Sequence, residues 1–540
     1  MTPRAQGMMT QAAIATLLMA PALLHLGSAL PGRPGLADLP GTVNFHWLIQ
    51  EHGLQSAGQS SMLMYPAQLD RILLDGVPLD AFASWPFTAL FGWPGGFTVY
   101  VWAVLFGLGI ATAWLAQEWW RKPEVGWIAG GVAQLHPFLI RELSDGRSTQ
   151  LFAAIFVPLC FGFALRSIRK GCIRSGLIAG LLWGLGTLAY WFNGAFIGLG
   201  LSALVIGVGP LQPKVILAWV STLMLTIVGP LIRVVNSGSE MPGKGLSWSE
   251  MVTHGDNPLP LWQLIEFRDL GATIMSERVL AAQCLLIGCC IVVLIKQPRE
   301  RWLLPVAWLT TALAFAAGPR IDIGSLTLPG PFALFELTEW TQRLWWPERA
   351  LVLAVPATAL LVAGGVEQIS QRLRLRTGVI GLLLLAEAFW VIPGLPLKTT
   401  WGTTSAHTDL LSSTDGPALL LPLGSGGTQP NARMLIDQIH HGRPLVNGPM
   451  PYTSSTAPTA YQRLIQSEAL AGVVACETDP LTAPKQSPWP ALQALGLSEV
   501  YLDPQLALRL PHGAAAYEAR VDTLLGAAKQ TESTLLIYRP

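Results

Sequence analysis

The chain has 540 residues, of which 51% are hydrophobic and only 12% are charged, and its formal net charge is +1. With a mean hydropathy of +0.44, this composition excludes an ordinary soluble protein and predicts a protein of the lipid bilayer. The sequence has no basic domain of the kind that binds nucleic acid, and its six cysteines show no metal-ligand spacing.

Apolar runs along the chain predict membrane-spanning helices, since about 17 to 25 apolar residues are enough to cross a bilayer. The interpretation is a polytopic α-helical membrane protein of about eleven spans. The spans are placed at 10–30, 96–117, 125–141, 150–165, two within 176–210, 214–232, 279–295, 302–318, 349–368 and 378–396. Three long hydrophilic loops separate some of them, at 31–95, 233–278 and 319–347.

Basic residues follow every second predicted span, which sets the expected orientation. Examples are Arg121-Lys122, Arg169-Lys170 and the basic residues of 296–301 and 372–376. Because lysine and arginine collect on the cytoplasmic side, the N-terminus is predicted to be cytoplasmic and the long loops extracytoplasmic.

Two features of this topology have an alternative. Residues 176–210 could form one long tilted helix, which would place the later basic segments outside, so a hairpin of two spans is preferred. The first span could be a cleaved signal peptide, although no convincing cleavage site follows it.

The character of the chain changes near Leu397, where polar and apolar residues begin to mix. We therefore predict a transmembrane domain over 1–396 and a small soluble α/β domain over 397–540, tethered outside the membrane. Strand-like runs occur at Ala418–Leu423, Glu499–Leu502 and Thr534–Tyr538, and helix-like runs at Ala432–His440, Tyr461–Leu470 and Ala491–Leu495.

Polar residues next to the predicted spans are the candidates for chemistry. Glu142, Arg147 and Gln150 follow the third span, and such groups are costly there unless they face water or a polar cavity. Capping of the third and fourth spans is the structural alternative. In the first loop, residues 43–54, which include His46 and Glu51, have the pattern of a helix lying along the membrane surface. The alternative there is that these polar residues only solvate the outer face.

Two arginines in the third loop, Arg343 and Arg349, flank a pair of tryptophans before the tenth span. Anchoring at the membrane interface explains the tryptophans but not the arginines. Guanidinium groups bind phosphate with two parallel hydrogen bonds, so these arginines are candidates for an anionic lipid headgroup.

Six short motifs, together with the long first loop, occur in an order that resembles a known family over about residues 10 to 450. They are Tyr65-Pro66, Glu142-x-x-x-Gly146-Arg147-x-x-Gln150, Tyr190-Trp191-Phe192, Pro329-Gly-Pro331-Phe332, Trp346-Pro347-x-Arg349 and Gly442-Arg-Pro-Leu-Val-Asn447-Gly. The family is the C-type (GT-C) integral-membrane glycosyltransferases, especially bacterial members with an appended extracytoplasmic domain.

This resemblance implies inverting transfer of a sugar from a polyprenyl-phosphate donor to an acceptor on the outer face of the bacterial inner membrane. It implies a carboxylate base and cations for the leaving phosphate. Where the family keeps a Gly-Asp pair, this chain has Gly41-Thr42, so Asp38 and Glu51 are the candidate bases. The candidate substrate-binding residues are His46, Glu142, Arg147, Gln150, Arg343 and Arg349. Some relatives use a divalent metal, but nothing in this sequence requires one.

Two other functional classes stay open from the sequence. Thr42 at the acidic position favours a non-catalytic GT-C-like scaffold, or polysaccharide-assembly partner, that keeps the lipid-binding groove. A secondary transporter fits less well, because Glu387 is the chief ionisable residue within the spans and no internal repeat is evident.

Overall fold

The fold is taken from a computed structural model of the chain. It describes residues 3–32, 38–58, 62–66, 79–208, 212–236, 284–318, 320–323, 326–337, 347–373, 377–392, 395–402, 406–423, 432–448, 459–478, 487–508, 510, 513–526, 530–532 and 535–540. The chain forms two compact units. The first, here called the membrane unit, comprises Met1–Arg33, Gly95–Val235 and Lys244–Thr400; the second, the α/β unit, comprises Pro34–Pro94, Asn236–Gly243 and Trp401–Pro540. The first loop, which the sequence analysis assigned to the transmembrane domain, thus clusters with the C-terminal segment.

The membrane unit is built almost entirely of helices. They are α1 (Pro3–Leu24), α4 (Gly95–Trp120), α5 (Pro123–Gln134), α6 (Pro137–Ser144), α7 (Ser148–Ala154), α8 (Phe156–Lys170), α9 (Ile173–Ala189), α10 (Trp191–Val208), α11 (Pro213–Asn236), α12 (Cys284–Lys296), α13 (Arg299–Ala316), α14 (Ala354–Leu373) and α15 (Thr377–Val391), with 3₁₀ helices at Pro331–Leu337 and Pro347–Leu353. Two small sheets complete it, one pairing β1 (Ala29–Pro31) with β4 (Thr399–Trp401) and one pairing β2 (Arg320–Ile323) with β3 (Leu326–Pro329).

Six helical segments of the described residues are long and apolar enough to cross a membrane. They are Ala5–Leu24, Gly95–Trp120, Ser148–Lys170, Trp191–Val208, Pro213–Ile232 and Pro347–Leu373. Three shorter apolar helices accompany them, Ile173–Ala189, Leu285–Lys296 and Val379–Val391. The count of about eleven spans therefore stays a prediction.

The third predicted span, 125–141, is wrong as a single helix. The structure has two helices there, α5 and α6, which are separated at Leu135 and His136. Pro137 has no N–H to continue the helical ladder, and its ring disfavours a helical conformation of the residue before it. His136 is accordingly extended, with φ −65° and ψ 125°.

The break predicted within 176–210 is present. Tyr190 is extended, with φ −161° and ψ 115°, and it separates α9 from α10. The two helices then pack side by side, with the indole nitrogen of Trp183 donating to the carbonyl of Gly194 at 2.8 Å. Residues 173–208 are thus a helical hairpin.

Helices α12, α14 and α15 include the partly buried Glu387. The backbones of α12 and α14 approach so closely that a Cβ at Gly365 would lie 2.1 Å from the carbonyl oxygen of Cys289. On the neighbouring helix α15, Glu387 accepts the backbone N–H of Leu285 at 2.7 Å. A carboxylate at a helix N-terminus satisfies a donor that has no partner within its own helix, so Glu387 is used to join helices.

The α/β unit contains a four-stranded mixed sheet with helices around it. Its helices are α2 (Asp38–Gly58), α3 (Leu79–Phe91), α16 (Ala406–Ser412), α17 (Ala432–His441), α18 (Thr459–Ile465), α19 (Ala471–Thr478), α20 (Trp489–Ala494), α21 (Pro504–Ala507) and α22 (Ala514–Leu525). Its strands are β5 (Leu419–Leu421), β6 (Val500–Leu502), β7 (Gln530–Glu532) and β8 (Leu535–Tyr538). The sheet order is β5-β6-β8-β7; β5 and β6 are parallel and the other pairs antiparallel.

The helix predicted over 43–54 forms, but it does not lie on a membrane surface. Residues 43 to 49 are all buried, and seven consecutive positions cover the whole circumference of a helix. Asn44 donates to the carbonyl of Leu435 at 3.0 Å and to the side chain of Gln438 at 2.9 Å. Helix α2 is therefore an interior element that packs on α17, within the α/β unit.

The motif at 442–448 also has a structural role. The Arg443 side chain is buried and donates to the carbonyls of Leu411, Gly416 and Pro417 at 2.8 to 3.1 Å. The side chain of Asn447 accepts from the backbone of Leu420 at 2.9 Å and donates back to it at 2.7 Å. These residues fix the start of strand β5 to its neighbouring loop.

Candidate functional site

A tight turn between α6 and α7 brings together three residues of the 142–150 motif. Gly146 has a φ of 81°, a left-handed conformation that glycine adopts without steric cost. The turn lets the backbone N–H of Arg147 bond the carbonyl of Glu142 at 2.9 Å, and Gln150 follows one turn into α7. The turn thus explains why glycine occupies position 146 of this motif.

Arg349 completes this group from a distant part of the chain. It lies in the 3₁₀ helix Pro347–Leu353, and its Nη1 donates to the carboxylate of Glu142 and to the amide oxygen of Gln150. The Arg349 side chain is 3% exposed and that of Glu142 is 0% exposed, so this is a buried ion pair. Gln150 in turn donates to the hydroxyl of Tyr190 at 3.4 Å, which ties the group to the hairpin.

Two further arginines lie nearer to the surface. Arg147 Nη1 lies 3.5 Å from oxygens of both Glu142 and Asp145, and Arg141 Nε lies 3.7 Å from Asp145. Arg141 and Arg147 are each 17% exposed, against 8% for Asp145. The more exposed side chains of this group are therefore arginines. We call the set the arginine cluster: Arg141, Glu142, Asp145, Arg147, Gln150 and Arg349.

Several buried donors in and beside the cluster have no hydrogen-bond partner among the described residues. They are Nε and Nη1 of Arg141, the hydroxyl of Ser148 and Nδ2 of Asn193. Buried polar groups in native proteins are nearly always hydrogen-bonded. Donors left over next to arginines are thus suited to the oxygens of an anionic ligand.

The two candidate bases belong to the α/β unit. Asp38 is exposed in the first turn of α2, a position where a carboxylate also favours the helix dipole. Glu51 is exposed in the same helix, just before Gly53, where a φ of 75° kinks the helix. The structure thus places these carboxylates in one unit and the arginine cluster in the other.

The predicted substrate contact of His46 is not supported. His46 is fully buried; its Nδ1 lies 2.8 Å from the hydroxyl of Ser84 and its Nε2 lies 2.8 Å from the carboxylate of Asp80. Gln50 donates to Ser84 at 2.8 Å. Thr88 donates to the amide oxygen of Gln50 at 2.5 Å. We call this chain the histidine network: His46, Gln50, Asp80, Ser84 and Thr88. Its serine, histidine and aspartate are spaced like a catalytic triad, but all three are buried, which leaves no access for a substrate.

Two further predictions concern Arg343 as a substrate-binding residue and a site for a divalent metal. Arg343 lies outside the described residues. Across the part of the chain that the structure describes, no group of three or more His, Cys, Asp or Glu side chains could hold a metal ion. The cluster carboxylates Glu142 and Asp145 both face arginines, a donor set that does not fit a divalent cation.

Sequence reasoning missed Arg141, Asp145, Ser148 and Asn193. Arg141 falls at the end of the predicted third span, but the run Arg-Glu-x-x-Asp-x-Arg over 141–147 alternates charge and is a signal for it. Ser148 and Asn193 carry no sequence signal of their own, because their significance depends on burial without a partner.

Comparisons at the level of sequence identify no relative of the chain. No model of a known protein family and no curated protein matches the sequence.

Solved structures resemble the chain, and two of them are described here. An oligosaccharyltransferase from Archaeoglobus fulgidus, tethered to an acceptor peptide, matches 95% of this chain and 71% of its own, with a TM-score of 0.51 and 10% identity. The arabinofuranosyltransferase AftD from Mycobacteria matches 100% of this chain with a TM-score of 0.61 and 14% identity; the chain spans 42% of AftD's length. Both are GT-C glycosyltransferases. Together with its apolar helices, these likenesses show that the protein is an integral membrane protein with the GT-C-like glycosyltransferase fold.

Proposed function

We propose that the protein transfers a sugar from a polyprenyl-phosphate donor to an acceptor on the outer face of a bacterial inner membrane. In this proposal the chain has about eleven spans, a cytoplasmic N-terminus and an extracytoplasmic α/β unit. The observation that carries the proposal is the arginine cluster, in which the side chains of Arg141 and Arg147 are partly exposed and buried donors of Arg141 and Ser148 have no hydrogen-bond partner among the described residues. The GT-C-like fold is the second support.

The donor phosphate is assigned to Arg147 and Arg141. Their side chains are the more exposed ones of the cluster, and their 3.5 to 3.7 Å contacts to carboxylates are longer than charge-assisted hydrogen bonds, so that phosphate oxygens can replace them. Arg349 is already bound by Glu142 and Gln150, so we assign it the role of a positioning residue that holds the α6–α7 turn.

The base is assigned to Asp38 or Glu51, because both are exposed carboxylates. Each carboxylate oxygen of Glu142 faces an arginine instead, which makes Glu142 a poor proton acceptor. In the proposed step the acceptor hydroxyl gives its proton to the base, and its oxygen attacks the anomeric carbon of the sugar. The bond from that carbon to the phosphate oxygen breaks with inversion, and the polyprenyl phosphate leaves with the electron pair, stabilised by Arg147 and Arg141.

The test separates donor binding from transfer. The protein is reconstituted in liposomes with a panel of radiolabelled polyprenyl-phosphate sugars and acceptors, and bound donor and product are measured separately. Asp38→Asn and Glu51→Gln are compared with Asp409→Asn and Glu468→Gln, which change exposed carboxylates of the same unit. Asp409 is a close match for Asp38, because it also lies in the first turn of a helix.

Two outcomes decide between catalysis and the scaffold. We expect one of the Asp38 and Glu51 variants to lose turnover by about 100-fold or more while still binding donor, as removal of a catalytic base does. Donor binding that requires Arg147, with no turnover by the wild type across the panel, would establish the non-catalytic scaffold that Thr42 favours. Absence of donor binding by the wild type would overturn both.

A further inference from the structure

A cavity of about 550 Å³ opens in the membrane unit, away from the arginine cluster, and most of its walls are cationic. We call it the basic pocket, and its charged residues are Glu118, Arg121, Lys122, Arg166, Arg169 and Lys170. The proposed sugar transfer uses none of them.

The basic pocket lies at the opposite ends of the spans from the arginine cluster. Helices α4 and α8 run parallel, since Gly107 packs on Ile155 and Gly162 on Trp114, and their C-terminal ends form the pocket. Gln150 and Arg166 lie on one span, Ser148–Lys170, at a separation of roughly 24 Å along the helix. That distance approaches the ~30 Å thickness of a bilayer core, so the two sites face opposite leaflets.

The pocket has more positive charge than its own carboxylates can neutralise. Glu118 pairs with Arg166, and its backbone carbonyl accepts a hydrogen bond from Arg169 at 2.8 Å. Lys122 pairs with Glu367. Within the described part of the chain, Arg121 and Lys170 make no ion pair, and both are exposed. The pocket therefore offers at least two cations to an anion.

Aromatic residues hold two of the arginines at the pocket wall. The guanidinium carbon of Arg166 lies 5.5 Å from the ring centre of Trp114, and that of Arg169 lies 5.3 Å from Trp119. Cation–π contacts of this kind fix the side chains without neutralising their charge. Tryptophan also favours the level of the lipid headgroups.

An exposed apolar stripe begins three residues after Lys170. Ile173, Leu177 and Leu181 are all exposed, and their spacing of four residues puts them on one face of α9. Free phosphate would use the cations alone, whereas a phospholipid would use both the cations and the stripe.

We propose that the basic pocket binds the phosphate of an anionic phospholipid, whose acyl chains lie along the Ile173–Leu177–Leu181 face. Basic pockets between transmembrane helices on the cytoplasmic side are suited to such headgroups. With the orientation proposed above, the lipid belongs to the cytoplasmic leaflet. The lipid site does not depend on sugar transfer, so a failure of either proposal leaves the other testable.

The test is lipid binding by the full chain in detergent, measured by native mass spectrometry with phosphatidylglycerol and, separately, phosphatidylcholine. The double variant Arg121→Gln/Lys170→Gln removes two exposed cations of the pocket that make no ion pair among the described residues. Its matched control is Lys214→Gln/Lys296→Gln, which removes two lysines at helix ends outside the pocket. Circular dichroism checks that all the proteins are folded.

We expect phosphatidylglycerol to bind more tightly than phosphatidylcholine. The pocket variant should bind it on the order of 25-fold more weakly, from about fivefold for each charge, with little change in the control. Equal binding of the two lipids, or equal losses in both double variants, would overturn the proposal. A third arm adds inorganic phosphate; displacement of the lipid at micromolar phosphate would show a free-phosphate site and overturn the lipid assignment.

Discussion

The arginine cluster and the histidine network are both groups of largely buried polar side chains, but they differ in how completely their hydrogen-bond donors are paired. In the histidine network both ring nitrogens of His46 have a partner at 2.8 Å, and the side chain of Gln50 bonds both Ser84 and Thr88. Beside the arginine cluster, donors of Arg141, Ser148 and Asn193 have no partner among the described residues. A satisfied network gives stability and rigidity, whereas unsatisfied donors are costly unless a ligand uses them. The contrast assigns a structural role to the histidine network and a binding role to the arginine cluster.

The largest expected effect is on stability, from breaking the buried pair of the arginine cluster. Arg349→Ala leaves the carboxylate of Glu142 buried without its main partner, which should lower the free energy of unfolding by about 3–5 kcal/mol. The measurement is unfolding in detergent, with Arg372→Ala as the exposed control. The double variant Glu142→Gln/Arg349→Gln removes both charges and should recover much of the loss. A cost no larger than that of the control would contradict the buried pair.

The histidine network should show a loss of stability without a loss of binding. His46→Ala leaves Asp80 and Ser84 buried with one partner fewer, at a cost of about 2–3 kcal/mol. Affinity for a polyprenyl-phosphate sugar should stay within about twofold of the wild type, because the buried His46 is not accessible to a substrate. A twofold change in affinity is well below 1 kcal/mol. The exposed His52, changed to alanine, is the control for unfolding. If the folded His46→Ala protein lost affinity for the sugar donor, His46 would belong to the substrate site.

A smaller, pH-dependent effect is expected in the α/β unit. Burial, followed by the charges of Arg443 and His440, lowers the pKa of His441 from 6.5 to about 3. The unprotonated Nδ1 accepts the backbone N–H of Arg443 at 3.0 Å. Since the unfolded chain takes up a proton near pH 6.5 and the folded chain does not, stability falls as the pH drops below that value.

The loss from His441 should be about 1–2 kcal/mol by pH 5. His441→Asn keeps an acceptor at this position but cannot titrate, so its unfolding free energy should fall less over the same range. The measurement is the difference between the two proteins at about pH 7 and pH 5. Parallel pH profiles would show that His441 is not held neutral by the fold.

The smallest expected change in stability comes from Arg147, a partly exposed cation of the arginine cluster. Arg147→Gln should lower the free energy of unfolding by less than about 1 kcal/mol, because partly exposed ion pairs contribute little. Unfolding in detergent, measured beside Arg372→Gln, checks this. A loss as large as that of Arg349→Ala would show that Arg147 is a structural arginine as well.

Local patterns account for what the sequence predicted well. The 142–150 motif, the break at Tyr190 and the buried strands at Leu419–Leu421 and Leu535–Tyr538 all depend on neighbours within a few residues. Glycine, proline and apolar periodicity report such features directly. Arg147 could therefore be named as a candidate for the phosphate, although Arg141 and the arrangement of the cluster could not.

Long-range contacts account for the features that the sequence could not predict. Arg349 meets Glu142 across 207 residues, and Asn44 meets Gln438 across 394. No spacing in the sequence indicates that α2 is buried in the α/β unit, and its amphipathic pattern predicts a surface helix instead. The roles of Ser148 and Asn193 depend on burial, which tertiary packing alone decides.

The most direct test of the central claim is the affinity of the protein for a polyprenyl phosphate without sugar or acceptor. Binding to the wild type, Arg147→Gln and Arg372→Gln would be measured in the same detergent, on samples shown to be folded. An arginine that binds phosphate predicts a loss of about 10- to 100-fold for Arg147→Gln, as expected for hydrogen bonds to a charged group, and less than twofold for Arg372→Gln. Equal affinity in all three proteins would contradict a phosphate site at the arginine cluster.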